Sequence, residues 1–431
     1  MVQTGSIVLA CTAILSGLFR AFVKPRIDET GYFRKVHNFN NEHCKPIEGL
    51  EACEDIYIHQ PSGLAYLACS RVADRVHWIP ALLKLNRAGI PFPSLDHVSI
   101  LDLETQHHRK ISLLNLPTHI KRTGLHTHGL DLYVEEPTES EFIPDEQVLL
   151  SSSPSSEKRA TLYLINHNPP ESIADAPVTG ADSVIEVFET SVGSSEAIYR
   201  TTIRHPLIHT PNNLVATGPN SFYVTNDHRV KTSWYNKQRF EPFFFRDPQP
   251  IILDRDVNSI VHCTFTDNSE TPNCIVAAEG HPHPNGIAKG PGSSIYLATT
   301  FEPHLYVYET QADHSLVLTD ELKLPRMADN IFVSPSGSIY LATIPKVLSF
   351  VKAIEKPNEF HSPSEVWRIS NSTGPDAFYG GRLAVEKILG DDGKVISGIT
   401  AVGVHGTKIF LTGISSPHVS VCEMGDEKWT K

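Results

Sequence analysis

Short runs of β-branched and aromatic residues recur along this chain, each behind a polar head and a turn of Gly, Pro and Ser. NNLVATGPNSFYVTND from Asn212, NGIAKGPGSSIYLAT from Asn285 and NIFVSPSGSIYLAT from Asn330 share the frame, and EDIYIHQPSGLAYLACS fits it with Glu54 at its head. HGLDLY from His128 and TAVGVHGTKIFLTG from Thr400 complete six units. Helical periodicity is slight outside the N-terminal run and residues 231–245. Repeated strand-turn-strand units predict an all-β, six-bladed β-propeller. If the first strand of each unit lines the central channel, the polar heads converge on its axis.

The pattern also divides the chain. Gly5 to Phe19 is apolar, with no Lys or Arg before it and with Arg20, Lys24 and Arg26 behind it. Residues 1–26 therefore read as a hydrophobic signal or anchor segment, cleaved or retained, with a buried helix as the alternative. The first two route the chain to the secretory pathway, secreted or membrane-anchored. Residues 27–43 read as an extended arm and 44–431 as the propeller. Within it, the acidic, Ser-rich stretch 136–158 reads as a flexible insertion. KTSWYNKQRFEPFFF, residues 231–245, reads either as a packed outer strand or as an apolar lid able to touch lipid.

A formal charge of −12 argues against nucleic acid as a partner, because phosphate backbones are held by clustered Lys and Arg. It leaves small uncharged substrates open. Of seven cysteines, Cys11 lies in the leader. A bridge from Cys44 to Cys422 would tie first strand to last, with a loop-entropy contribution of at most about 5–6 kcal/mol. Cys263 and Cys274 suit either a hairpin bridge or two free thiols, and Cys53 and Cys69 suit buried small hydrophobes. Asn371 opens a glycosylation sequon.

Calcium takes six to eight oxygens in irregular geometry. Glu54, Asn212, Asn285, Asp329 and Asn330 supply carboxylates and amides at the heads of the units. Singly, an Asn beside Gly is most simply a turn residue; recurrence at equivalent positions points to a shared ion. Asp55, expected on the opposite strand face from Glu54, pairs with Asn213 and the Leu130 carbonyl as a second, deeper set. His128 heads its unit and His167 ends the paired strand, so His128 could take a proton from water with His167 behind it. Glu54 is a rival base. Neither a G-x-S-x-G elbow nor an H-E-x-x-H helix occurs in the sequence.

The order of CKPIEGLEACEDIYIHQPSG, HTHGL, LYLINH, NNLVATGP, FYVTNDH, NGI, DNIFVSPSG and VCEM resembles the paraoxonase/arylesterase family from about residue 44 to 424. The resemblance implies a six-bladed propeller with two calcium ions in its channel, hydrolysing lactones, aryl esters and some organophosphates. It implies Glu54, Asn212, Asn285, Asp329 and Asn330 as catalytic-calcium ligands, and Asp55, the Leu130 carbonyl and Asn213 as structural-calcium ligands. It implies His128 and His167 as a histidine dyad, Cys44–Cys422 as the closing disulfide, and a retained N-terminal segment. The chain departs from that pattern at Asn213, where the family has Asp, at Ile344, where a pocket wall usually carries His, and in its long insertion after Val134. Two alternatives lie outside this implication: a calcium-pinned propeller that only binds protein or lipid, and a sugar-lactonase-like enzyme.

Overall fold

The computed structural model describes residues 12, 14–135, 158–172, 174–228, 231–232, 258–266, 271–371 and 383–425. The repeated runs form the inner strands of six sheets: Cys53–His59, Thr127–Val134, Pro211–Gly218, Pro284–Lys289, Met327–Val333 and Ala401–His405, for blades 1 to 6. Each packs against the inner strands on either side, and blade 6 returns to blade 1, so the ring is closed. The fold is the all-β six-bladed propeller that the repeats predict. Blade 2 carries a fifth strand, Ser112–Leu114, parallel to Glu196–Ile203. Blade 6 takes its outermost strand, Cys44–Ile47, from the start of the chain, and Cys44 stands opposite Cys422 in a disulfide.

In five of the six blades a buried aromatic on the second strand explains the recurring FYV and IYL signals, Tyr296 of blade 4 being only half-buried. Tyr66, Tyr163, Tyr223, Tyr340 and Phe410 are fully buried, each contributing about 2–3 kcal/mol by burial. Three of these tyrosines also tie neighbouring blades. Gly193 N donates to Tyr66 Oη at 2.8 Å, Tyr163 Oη donates to Gly218 O at 2.8 Å, and Tyr223 Oη donates to His314 O at 2.9 Å.

Five inner strands break register at their heads. The ladder slips at Glu54 in blade 1, His128-Gly129 in blade 2, Asn212-Asn213 in blade 3, Asn285-Gly286 in blade 4 and Asp329-Asn330 in blade 5. A bulge sets two residues against one and re-aims side chains, so neighbours such as Asn212 and Asn213 both turn inward. Glycine is needed at two of them. A Cβ on Gly129 would lie 2.7 Å from Asn212 O, and one on Gly286 would lie 2.6 Å from Asp329 O. Gly286→Ala should therefore destabilise by about 1–3 kcal/mol through overpacking against rigid backbone. Urea unfolding checks this, with little change expected at Gly17→Ser, whose surroundings are open and whose backbone is not left-handed.

Four expectations need correction. Cys53 and Cys69 form a disulfide instead of sitting as free buried side chains, because they are direct cross-strand partners with Cα atoms 3.8 Å apart. The arm is not extended from residue 27, since a helix runs Lys24–Thr30 before the chain loosens at Gly31. A helix at Val347–Glu355, buried on Val347, Phe350, Ala353 and Ile354, was not apparent from the pattern. Asp55 does not face away from Glu54 across a regular pleat, because the bulge intervenes. Cys263–Cys274 takes the bridged option, across the outer hairpin of blade 3. Residues 136–157 of the insertion lie outside the described residues, as do 233–245 of the aromatic stretch. Among the described residues no helix is long and apolar enough to cross a membrane.

Candidate metal and hydrolytic site

The bulges bring the sequence-predicted residues together at one end of the channel. Glu54, Asp55, Asn212, Asn213, Asp329, Asn330 and the two histidines are buried there, with Asn285 at the edge of the set. Asn330 Nδ2 donates to Glu54 Oε1 at 2.9 Å, and Asn213 Nδ2 donates to Asn330 Oδ1 at 2.5 Å. Leu130 N donates to Asp55 Oδ2 at 3.1 Å, and Ile56 N to Asp55 Oδ1 at 2.9 Å. Thr400, the sixth head, donates through Oγ1 to the Glu54 carbonyl at 2.7 Å and accepts Asn330 N at 2.9 Å. One hydrogen-bonded web thus runs from blade 1 through blades 2, 3, 5 and 6.

Three buried oxygens in and around this web lack any hydrogen-bond donor: Glu54 Oε2, Asn212 Oδ1 and Asn285 Oδ1. Each is held by its other atom. Asn212 Nδ2 donates to Asp227 Oδ2 at 3.2 Å, and Asn285 Nδ2 to Thr300 Oγ1 at 3.0 Å. Oxygens from three blades left without donors cost free energy unless something positive meets them. Burial, reinforced by Asp55 and Asp329, pushes Glu54 well above the usual carboxylate range. Burial also moves Asp329 up to about 8 and Asp55 up to about 6. A hard, oxygen-seeking cation fits this donor set. Among the described residues no cluster of three His, Cys, Asp or Glu is arranged for a metal, so amides carry much of the set. The deeper group differs: Asp55 and Asn213 have no unpartnered side-chain oxygen, since Asn213 Oδ1 accepts Leu214 N at 2.6 Å.

His128 Nε2 stands 4.0 Å from Glu54 Oε1. Its ring meets His167 edge-on, with centroids 4.9 Å apart. His167 faces Ser183 across the sheet and shares a 2.8 Å hydrogen bond with its hydroxyl through Nδ1. Trp78 Nε1 donates to the His167 carbonyl at 2.9 Å. His128 Nδ1 and His167 Nε2 have no partner. Burial holds His128 well below its ordinary value and His167 down to about 3, so both rings are neutral bases at physiological pH.

A small solvent-open cleft reaches this region, lined by His167, Ser183, His209, Asp227, His228 and Lys231 among others. Asp227 is a site residue that spacing alone did not single out. Burial raises its carboxyl, but His228 Nδ1 at 2.7 Å, together with His128 and Asn212, brings it below the usual carboxylate range. Its signal lay in NDH, the end of the second strand that faces Asn212. Ile344, at the pocket-wall departure, is buried with Met327, Val347 and Phe350 in an apolar cluster.

His126, two residues before His128, packs between Trp78 and Phe92, and burial lowers it to about 4. An unfolded histidine titrates near 6.5, so below that pH the unfolded chain binds the extra proton. The contribution is complete above about 6.5 and is lost as pH falls toward the folded value. The His126→Phe variant should gain on the wild type by at most about 1.4 kcal/mol per pH unit across that window. Paired urea midpoints at matched pH read the difference.

These features define a six-bladed propeller with an oxygen-rich axial site beside two neutral histidines. The chain belongs to the Arylesterase family, whose model matches residues 35–424. It is 24% identical over 395 residues to serum paraoxonase/arylesterase 2 of Bos taurus, covering 91% of each chain. It is 23% identical over 408 residues to serum paraoxonase/lactonase 3 of Mus musculus, covering 93% of this chain and 94% of that one. The Malassezia sympodialis allergen Mala s 1 aligns with a TM-score of 0.46 at 11% identity, over 88% of this chain and 95% of that one. Membership of the family supports ester or lactone hydrolysis as the broad class of activity.

Proposed function

We propose that this chain is a calcium-dependent hydrolase of lactones and of aryl or carboxylic esters. The observation that carries the reading is the convergence of three donorless buried oxygens from three blades beside His128. Glu54, Asn212, Asn285, Asp329 and Asn330 would hold one calcium. Asp55, Asn213 and the Leu130 carbonyl would hold a second after giving up hydrogen bonds they now make. When bound, the ion supplies positive charge to the substrate carbonyl and to the oxyanion that develops on it.

The protein groups supply the rest. Neutral His128 accepts a proton from the attacking water. His167, anchored through Nδ1 to Ser183, packs its ring against that of His128 and fixes it in place. Glu54 is the competing base. The cleft beside His167 and Asp227 leaves this side of the site open to solvent.

Excess chelator should abolish hydrolysis of both phenyl acetate and an aliphatic lactone. It should also lower Tm by about 3 °C, the shift expected when a ligand at about a hundred times its Kd is withdrawn from a chain of this length. Full activity after complete chelation, checked by metal analysis, rejects the reading.

Three disulfides suit an oxidising, secretory compartment. Asn371, exposed at the end of a blade 5 strand, is the candidate glycan site. Ile14, Leu15, Leu18 and Phe22 are exposed on the N-terminal helical segment, which Arg26 ties to Glu302 at 2.6 Å. That segment is the candidate lipid contact.

A further inference from the structure

Of the five bulges that aim site residues at the axis, one is bracketed by a covalent bond. Cys53 is the residue before Glu54, and its disulfide to Cys69 lies on the ladder pair from which the register slips. Both cysteines are buried. The partner strand is itself anchored to blade 2, because Thr127 Oγ1 donates to Cys69 O at 3.3 Å. The approach to the bulge is constrained as well. Ala52 sits at φ 48°, in the left-handed region, with its N–H on Ser416 O at 2.8 Å and its carbonyl taking Ser70 N at 3.2 Å.

The other bulges are held by packing: Gly129 closes onto Asn212-Asn213, and Gly286 onto Asp329-Asn330. Blade 1 faces a harder problem. It presents two successive carboxylates, Glu54 and Asp55, to a buried axis that also holds Asp329. Burying such polar groups is costly, and peeling of the inner strand from its neighbour would return Glu54 to water. A cross-link one residue away blocks that motion.

We infer that the Cys53–Cys69 disulfide is the positioning element of the candidate metal site, locking the blade 1 bulge so that Glu54 stays turned to the axis before any ion arrives. This rests on the reading of the axial oxygens as a calcium site. A pre-set ligand spares binding the cost of ordering it, so the bond acts on ion affinity as well as on overall stability. A bond serving stability alone would leave affinity untouched.

The test compares wild type, Cys53→Ala/Cys69→Ala, Cys53→Val/Cys69→Val and the control Cys263→Ala/Cys274→Ala, each stripped of metal and titrated with calcium alone. Binding is read by calorimetry, or by the calcium concentration that restores folding if a variant needs the ion to fold. Both the Ala and Val pairs at 53 and 69 should bind calcium at least tenfold more weakly. The control should keep wild-type affinity whatever stability it loses. Unchanged affinity in the Ala pair overturns the inference, as does restoration by Val, which returns volume without the cross-link. Failure of both pairs to fold at any calcium concentration also overturns it, since the bond would then be a folding requirement. Absence of calcium binding by the wild type instead removes the site reading on which the inference stands.

Discussion

Glu54→Gln should lower kcat/KM for esters and lactones by about a thousandfold or more and remove the stabilisation that calcium confers. The substitution keeps the side chain's shape and an oxygen for Asn330 Nδ2 to reach. It removes one of two formal charges in the upper donor set, the other being Asp329. Loss of a single preorganised group at a developing oxyanion costs about 10²–10³ in rate, and here the same change also weakens the ion that supplies the charge. The apo protein should not suffer equally. Glu54 is held well above the carboxylate range by burial, with Asp55 and Asp329 adding to it, so a neutral amide replaces a carboxyl that the apo protein already favours in its neutral form. The predicted signature is therefore an apo variant at least as stable as wild type whose Tm no longer responds to calcium. A variant that retains both the rate and the calcium response removes Glu54 from the site.

His128→Gln separates the two candidate bases. The general-base reading predicts a loss of about 10²–10⁴ in kcat, with calcium affinity held near wild type because His128 gives no oxygen to the donor set. Gln fills most of the ring's space against His167, so the fold should persist. If hydrolysis survives while calcium still binds, the proton goes to Glu54, which stands 4.0 Å from the imidazole it would replace. Parallel calcium titrations and ester kinetics on one preparation distinguish these outcomes.

The fold was legible in the sequence because a propeller repeats its grammar. Polar head, turn and aromatic second strand recur at every blade, and the buried tyrosines show why the aromatic is there. The grouping of the candidate site was legible for a related reason, since the five proposed donors all sit at blade heads. Strict alternation misled at one place. It set Asp55 on the far face from Glu54, whereas the register slips between Cys53 and Asp55 and both carboxylates are buried at the axis. Bulges leave no reliable mark on a hydrophobic pattern, which is why the pairing of Cys53 with Cys69 was also missed. Two cysteines at opposite ends of a hairpin look like filler until the register is known. Asp227 escaped because its role comes from Asn212 and His228 in space, and a lone Asp at a strand end carries no period. The helix Val347–Glu355 was too short to stand out beside so many strands.

The ring's seam has a temporal consequence. The strand Cys44–Ile47 belongs to the same sheet as Val419–Glu423, so what the ribosome makes first must wait for what it makes almost last. Throughout synthesis that strand has no mate in blade 6, and the hydrophobic flank of blade 1, where Phe410 and Val421 belong beside Ile56 and Leu67, stays bare. Nascent chains of this protein therefore carry a sticky edge until Val419–Glu423 emerges, and removing that strand should trap them as aggregates instead of yielding a smaller, five-sheet barrel.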